Sequence, residues 1–177
     1  MILTLEEIDA LYMAKRLDEA IEALNERLAE NELCADSLRE RAGIYRIKKR
    51  FRESLADVTR LMAIIDQPRI YDHFLLAENN LSLGLYDIAE QGFRRVIRLC
   101  AEQGDFWLEK SAKMMLAIAL LRMDRLDEAR EIARALPEDY LAPDGYRLWQ
   151  VHEILEYEPG MELPNVCPIF RPARGET

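Results

Sequence analysis

Apolar residues recur every three or four positions along most of the chain, which is the period of an amphipathic α-helix. Short polar or glycine-containing stretches interrupt this pattern and divide it into nine predicted helices. Their spans are residues 4–15, 18–31, 37–48, 52–66, 69–83, 87–103, 106–123, 127–136 and 144–157. Thr4-x-x-Glu7 and Ser37-x-x-Glu40 have the pattern of capping boxes, which favour helix starts at these two places.

A five-residue string repeats along the chain. Arg16-Leu17-Asp18-Glu19-Ala20 returns unchanged as residues 125–129, and degenerate copies occupy residues 50–54 and 85–89. The small residues that close the four strings are separated by 34, 35 and 40 positions. Each string lies between two apolar helical patterns, so the sequence predicts four consecutive helix hairpins.

The third copy carries the most specific pattern, with Ala77 on its first helix, Gly84-x-Tyr86 at the turn and Ala89-x3-Phe93 on its second helix. This arrangement resembles the tetratricopeptide repeat, a 34-residue helix hairpin with small and aromatic residues at these places. The other copies match it less closely, and all four lack the tryptophan of the pattern. The resemblance covers residues 3–137 and implies an all-α, right-handed α-solenoid in which helix A packs on helix B and neighbouring hairpins stack.

The predicted organisation is one repeat domain over residues 1–158 followed by a proline-containing extended tail over residues 159–177. Within the domain we expect four repeats and a capping helix, at about 3–35, 36–68, 69–104, 105–140 and 144–157. The tail has prolines spaced between apolar residues, which excludes a helix. It is either a disordered end or an extended segment docked on the protein's own surface.

The chain is acidic, with 33 Asp and Glu against 24 Lys and Arg. Residues 39–60 depart from this balance, because they hold eight basic and three acidic side chains. The run at 46–52 is the candidate for contact with an acidic partner or with nucleic acid. The acidic remainder disfavours nucleic acid, because its field repels phosphate.

The residue types that carry chemistry are few and scattered. His73 and His152 have no partners at metal-ligand spacing, and Cys34, Cys100 and Cys167 form no Cys-x-x-Cys pair. We therefore expect no enzyme activity, metal, cofactor or small-molecule substrate. The N-terminal residues lack the pattern of a secretory leader and no apolar run is long enough to span a membrane, so we expect a cytoplasmic protein with no membrane partner.

In the family that the repeats resemble, helix A lines a concave face that commonly receives an extended peptide. Projecting the pattern onto this chain predicts a protein-binding groove formed by Tyr12, Arg39, Arg46, Tyr71, Phe74, Glu78, Leu81, Met114, Ile118 and Leu121. The same projection turns Leu5, Asp9 and Gly43 inward. The predicted groove is apolar and aromatic in its C-terminal half and carries arginines in its middle.

The resemblance implies a non-catalytic protein–protein interaction module. In length and acidity the chain is similar to small bacterial repeat chaperones and adaptors, which hold a segment of a client protein. A second hypothesis is an immunity-type protein that neutralises a partner toxin. A third, from another class, is a nucleic-acid binder that uses the basic run at 46–52.

Overall fold

The computed structural model describes residues 2–144 and 146–161. Eight helices follow one another through the repeat region: α1 Leu5–Met13, α2 Leu17–Glu30, α3 Ala35–Ile47, α4 Phe51–Ile64, α5 Ile70–Ser82, α6 Tyr86–Gln103, α7 Glu109–Arg122 and α8 Leu126–Arg134. These helices confirm the predicted all-α solenoid of four hairpins. The last 16 residues, which include most of the predicted tail, lie outside the described part of the chain.

The C-terminal end differs from the prediction. Instead of one helix over 144–157, a short antiparallel hairpin of β1 (Leu141–Pro143) and β2 (Leu148–Gln150) precedes the five-residue helix α9 (Val151–Leu155). The Asp144 carboxylate accepts hydrogen bonds from the backbone N–H groups of Tyr146 and Arg147, at 2.9 and 3.0 Å. Such side-chain bonds stabilise a turn in place of a helix. The prediction is therefore wrong for the first half of the predicted helix.

The helices pack in the order of a solenoid. Within each repeat the first helix contacts the second, and the second helix then contacts the first helix of the next repeat. Contacts also join α3 to α5 and α5 to α7, whereas no comparable contact joins successive second helices in the described residues. The first helices α3, α5 and α7 therefore lie closer together than the second helices do, and with α1, whose Tyr12 lines the same cavity as residues of α3 and α5, they form the inner, concave face.

Two predicted helix starts have different outcomes. The Thr4 hydroxyl accepts from the Glu7 N–H at 3.2 Å and the Glu7 carboxylate accepts from the Thr4 N–H at 2.7 Å, which confirms the first capping box. The second is wrong, because α3 begins at Ala35 and places Ser37 in its first turn. There the Ser37 hydroxyl donates to Cys34 Sγ at 3.1 Å.

The repeated five-residue string marks the turn inside each hairpin. Each of these turns contains one residue with positive φ: Lys15, Lys49, Gly84 or Asp124. The next residue is the N-cap of the second helix, and where it is arginine its side chain bonds a glutamate three positions later: Arg16 to Glu19, Arg50 to Glu53 and Arg125 to Glu128. The string therefore directly follows the chain reversal, and in the three copies that begin with arginine an ion pair spans the first turn of the helix.

Helices α5 and α6 approach most closely at Ala77 and Gly92. A Cβ atom placed on Gly92 would lie 2.7 Å from the Ala77 Cβ. Gly92→Ala is expected to lower the free energy of unfolding by about 1–3 kcal/mol through overpacking, although alanine is the better helix former. Urea denaturation followed by circular dichroism measures this change.

Gly43 provides the matched control, since it also lies inside a helix. A Cβ on Gly43 would meet only the Tyr71 hydroxyl, at an ordinary 3.9 Å. Gly43→Ala is therefore expected to raise the free energy of unfolding by about 0.5–1 kcal/mol. Equal stability of Gly92→Ala and the native protein would contradict the close α5–α6 approach.

Candidate functional site

The predicted apolar half of the groove is buried. Phe74, Leu81, Met114, Ile118 and Leu121 each expose less than a tenth of their surface and belong to one large hydrophobic cluster. The Phe74 ring packs edge-on against the ring of Phe93, with 5.8 Å between ring centres. As an accessible surface for a partner, this part of the prediction is wrong.

The burial follows from the character of α7. Its residues Met114–Leu121 are all apolar, and each is buried. A helix that is apolar on every face needs neighbours on every face. Helix α7 has them, because α5, α6 and α8 pack on it and β1 and α9 contact it as well.

The C-terminal hairpin also contacts the C-terminal end of α5. The Ser82 hydroxyl donates to the Asp144 carbonyl oxygen at 3.2 Å, and the Tyr146 hydroxyl donates to the Ser82 carbonyl oxygen at 3.0 Å. The Tyr146 ring packs against the Phe51 ring of α4, with centres 5.3 Å apart. The hairpin thus packs against the C-terminal end of α5 and the start of α4, beside the buried half of the concave face.

The N-terminal half of the concave face remains open as a cavity of about 220 Å³. We call it the α1–α3–α5 groove and define it by its lining: Tyr12, Arg39, Glu40, Gly43, Ile44, Arg46, Ile47, Arg69 and Tyr71. Four of the ten predicted groove residues, namely Tyr12, Arg39, Arg46 and Tyr71, therefore meet in one place. Their role in binding stays a prediction.

One wall of the groove is built on the ion pair of Arg39 with Asp72. Arg39 donates from Nε to Asp72 Oδ1 at 2.7 Å and from Nη2 to Asp72 Oδ2 at 3.1 Å. Its Nη1 bonds to Asp36 at 2.7 Å. The Asp72 side chain is fully buried, and its carboxylate also accepts the N–H of Arg69 at the start of α5. Arg39 is thus held rigidly between α3 and α5.

A second ion pair joins the same helices deeper in the groove. Arg46 Nη1 donates to Glu78 Oε1 at 3.2 Å, and the Glu78 side chain is almost fully buried. Burial raises the pKa of Glu78, Arg46 opposes this shift, and Asp144 on the hairpin adds to it. Arg46 Nε is buried without a hydrogen-bond acceptor in the described part of the chain. Because this atom is closed to solvent, a partner can reach only the other N–H groups of the Arg46 side chain, which is 28% exposed.

Aromatic and aliphatic side chains border these charges. Tyr12 on α1 and Ile47 on α3 are 40% and 41% exposed, while Tyr71 on α5 is half-buried and burial raises its pKa. Exposed side chains of this size offer contact area to a partner. The groove therefore combines apolar contact surface with fixed polar groups.

Two carboxylates of the concave face have no ion-pair partner in the described residues. They belong to Asp9 on α1 and Glu40 on α3. Partial burial raises the pKa of Glu40, and repulsion from Asp9 and Asp36 raises it further, against the attraction of Arg39 and Arg69. The α1 side of the groove is consequently acidic.

The basic run at 46–52 is not a free patch. Lys48 forms an ion pair with Asp18 at 2.8 Å, and Arg50 forms one with Glu53 at 2.8 Å. The aromatic member of the run, Phe51, is buried. Three of the five cations of the run, Arg46, Lys48 and Arg50, are thus paired with acids of the protein itself, which weakens the argument for contact with nucleic acid.

A second concavity of about 430 Å³ lies at the turn between α7 and α8. Its arginines are already engaged, since Arg125 bonds Glu128 at 2.7 Å and Arg130 Nη2 bonds the Tyr157 carbonyl oxygen at 2.6 Å.

The described residues give little support for other kinds of site. No group of three or more His, Cys, Asp or Glu side chains in the described residues is arranged to hold a metal ion. Burial and the charge of Arg95 lower the pKa of His73. None of the described helices combines the length and apolar character needed to cross a membrane.

Comparisons with known proteins agree on the architecture. No family model matches the chain, and no curated protein matches it. Among solved structures, MamA is 16% identical with a TM-score of 0.63, and the match covers 72% of this chain and 70% of MamA.

Two further structures give the same picture. YrrB, described as a TPR protein with an unusual peptide-binding site, is 16% identical with a TM-score of 0.61, over 72% of this chain and 62% of YrrB. A Podosopora anserina protein of nearly identical TPR-like repeats is 18% identical with a TM-score of 0.64, over 73% of this chain and 69% of that protein. This chain has the fold of tetratricopeptide-repeat proteins.

Proposed function

We propose that this protein is a non-catalytic chaperone or adaptor that binds a segment of another protein in the α1–α3–α5 groove. The observation that carries the proposal is the cavity itself, in which side chains of three successive first helices converge. It joins exposed Tyr12 and Ile47 with the positioned guanidinium groups of Arg39 and Arg46. Apolar contact surface with a few fixed polar groups is the usual composition of a binding site.

Two further points support a protein segment as the ligand. A structurally similar protein, YrrB, is described as having a peptide-binding site. The Arg46 side chain is 28% exposed and carries N–H donors beyond the Nη1 that bonds Glu78. These donors suit a carbonyl or carboxylate oxygen, which every peptide supplies. Because the C-terminal half of the concave face is buried, the bound segment is short or leaves the face near α5.

A peptide-display selection on the native protein tests the proposal. Peptides recovered from a random library are expected to bind the α1–α3–α5 groove, and Tyr12→Ala or Ile47→Ala should each weaken their binding about tenfold, which corresponds to about 1.4 kcal/mol. The matched controls are Leu33→Ala and Ile88→Ala, which remove similarly exposed apolar side chains outside the groove. Fluorescence anisotropy of a labelled peptide gives each affinity.

The controls should change the affinity less than twofold. Recovery of no binder, or equal losses in the groove variants and the controls, would contradict binding in this groove. Thermal melting of all four variants separates a loss of contact from a loss of fold.

A further inference from the structure

Gly43 lies in the middle of α3, on the floor of the α1–α3–α5 groove, and neither its backbone nor its packing requires glycine. Its φ is not in the left-handed region, and a Cβ there would meet only the Tyr71 hydroxyl at 3.9 Å. Glycine inside a helix is destabilising relative to alanine. Gly92 contrasts with it, because the approach of Ala77 leaves no room for a side chain. We therefore attribute the glycine at this position to the face of α3 that lines the groove, not to packing inside the protein.

A glycine on the wall of a binding site lets another backbone come close to the helix. Gly43 is one turn from Glu40 along α3, and Asp9 is one turn from Tyr12 along α1. Residues three apart share a helix face, so the floor glycine and the two carboxylates line neighbouring strips of the concave surface.

The charges along these strips are not balanced. Arg39 is held by Asp72 and Asp36, Arg69 lies 3.6 Å from Asp36, and Arg46 is bonded to Glu78. The groove's cations are thus all paired with acids, whereas no cation in the described residues lies within ion-pair distance of Asp9 or Glu40, and Arg39 and Arg69 attract Glu40 only from farther away. The charge that the site lacks is positive.

We propose that Gly43 is where the main chain of the bound segment crosses α3, and that this segment directs a lysine or arginine side chain to Asp9 and Glu40. This inference rests on the proposed function and names the chemistry of its partner. The partner is a protein segment with a basic residue, and close approach of its backbone is permitted by the missing side chain of Gly43.

The same display library, with one selected peptide fluorescently labelled, tests both parts. Selected peptides are expected to be enriched in lysine or arginine. Asp9→Asn combined with Glu40→Gln should weaken binding at least tenfold at low salt and less at high salt. The charge-matched control is Glu22→Gln combined with Glu26→Gln, two exposed acids of α2, which should change the affinity less than twofold.

Gly43→Ala should weaken binding of the same peptide at least tenfold while raising the melting temperature of the protein. Unchanged affinity of Gly43→Ala would overturn the crossing point, and selected peptides without basic residues would overturn the cation. If binding depends on Tyr12 and Ile47 but on none of these positions, the inference fails and the proposed function stands. If binding depends on none of the groove residues, the proposed function fails with it.

Discussion

Replacing Asp72 with alanine is expected to lower the free energy of unfolding by about 3–5 kcal/mol, one of the two largest effects we foresee for a single substitution. Asp72 is fully buried and bonds Arg39 through both of its carboxylate oxygens. Removing it leaves the guanidinium of Arg39, itself only 8% exposed, without its main counter-charge. Urea denaturation followed by circular dichroism measures the loss.

Asp36 is the internal control, because it bonds the same arginine from the surface. Its side chain is 55% exposed, so Asp36→Ala should cost less than about 1 kcal/mol. Replacing the buried pair together, as Arg39→Met with Asp72→Leu, should recover much of the loss, since no uncompensated charge remains. Equal effects of the two aspartate substitutions would contradict the importance of burial.

The position of this pair connects stability with the groove. Arg39 and Asp72 lie almost one repeat apart in sequence, on successive first helices of the solenoid. In a repeat protein stability depends largely on such contacts between neighbours. The pair that fixes α3 against α5 therefore also fixes the wall of the proposed binding site.

The repeat helices could be predicted because their signals are local. Apolar periodicity and the string that begins at Arg16 depend on residues close in sequence, and the structure has all eight helices in the predicted places. The Ser37 helix start was wrong because the helix begins one turn earlier, at Ala35, and Ser37 bonds Cys34 instead of capping. The ends of a helix are set by single hydrogen bonds, which the apolar periodicity of the sequence does not specify.

The C-terminal hairpin was missed although the sequence contains a signal for it. Pro143-Asp144-Gly145 between apolar residues is a typical turn pattern, and Leu148 and Trp149 after it are residues that suit a strand. The continuous apolar run from Met114 to Leu121 also indicated that no face of α7 would remain open. Which part of the chain covers α7 depends on contacts between residues distant in sequence. Apolar periodicity carries no information about such contacts.

The groove could be predicted in part. Helical projection turned Tyr12, Arg39 and Arg46 inward, and the structure brings them to one cavity. The sequence did not reveal that Asp72 and Glu78 would bind these arginines, because each pair joins helices about one repeat apart. Which charges remain unpaired was therefore not predictable, and the inference about Asp9 and Glu40 needed the structure.

Trp149→Ala is the other substitution with a large expected effect. Trp149 is almost fully buried, its Nε1 donates to Asp144 Oδ2 at 2.7 Å, and the Arg147 guanidinium lies 3.9 Å from its ring centre. Truncation should cost about 3–5 kcal/mol through the cavity it leaves. A two-stranded hairpin is only marginally stable alone, so the loss should appear first as opening of residues 141–155.

Hydrogen exchange measured by mass spectrometry locates that opening. Trp149→Ala should lose amide protection over residues 141–155 and along α7, whose apolar inner face the hairpin and α9 help to cover, while α1 to α4 keep theirs. Leu148→Ala is the control, because its side chain is exposed on the opposite face of β2 and should change protection little. Unchanged exchange in α7 of Trp149→Ala would mean that the hairpin does not stabilise this face of α7.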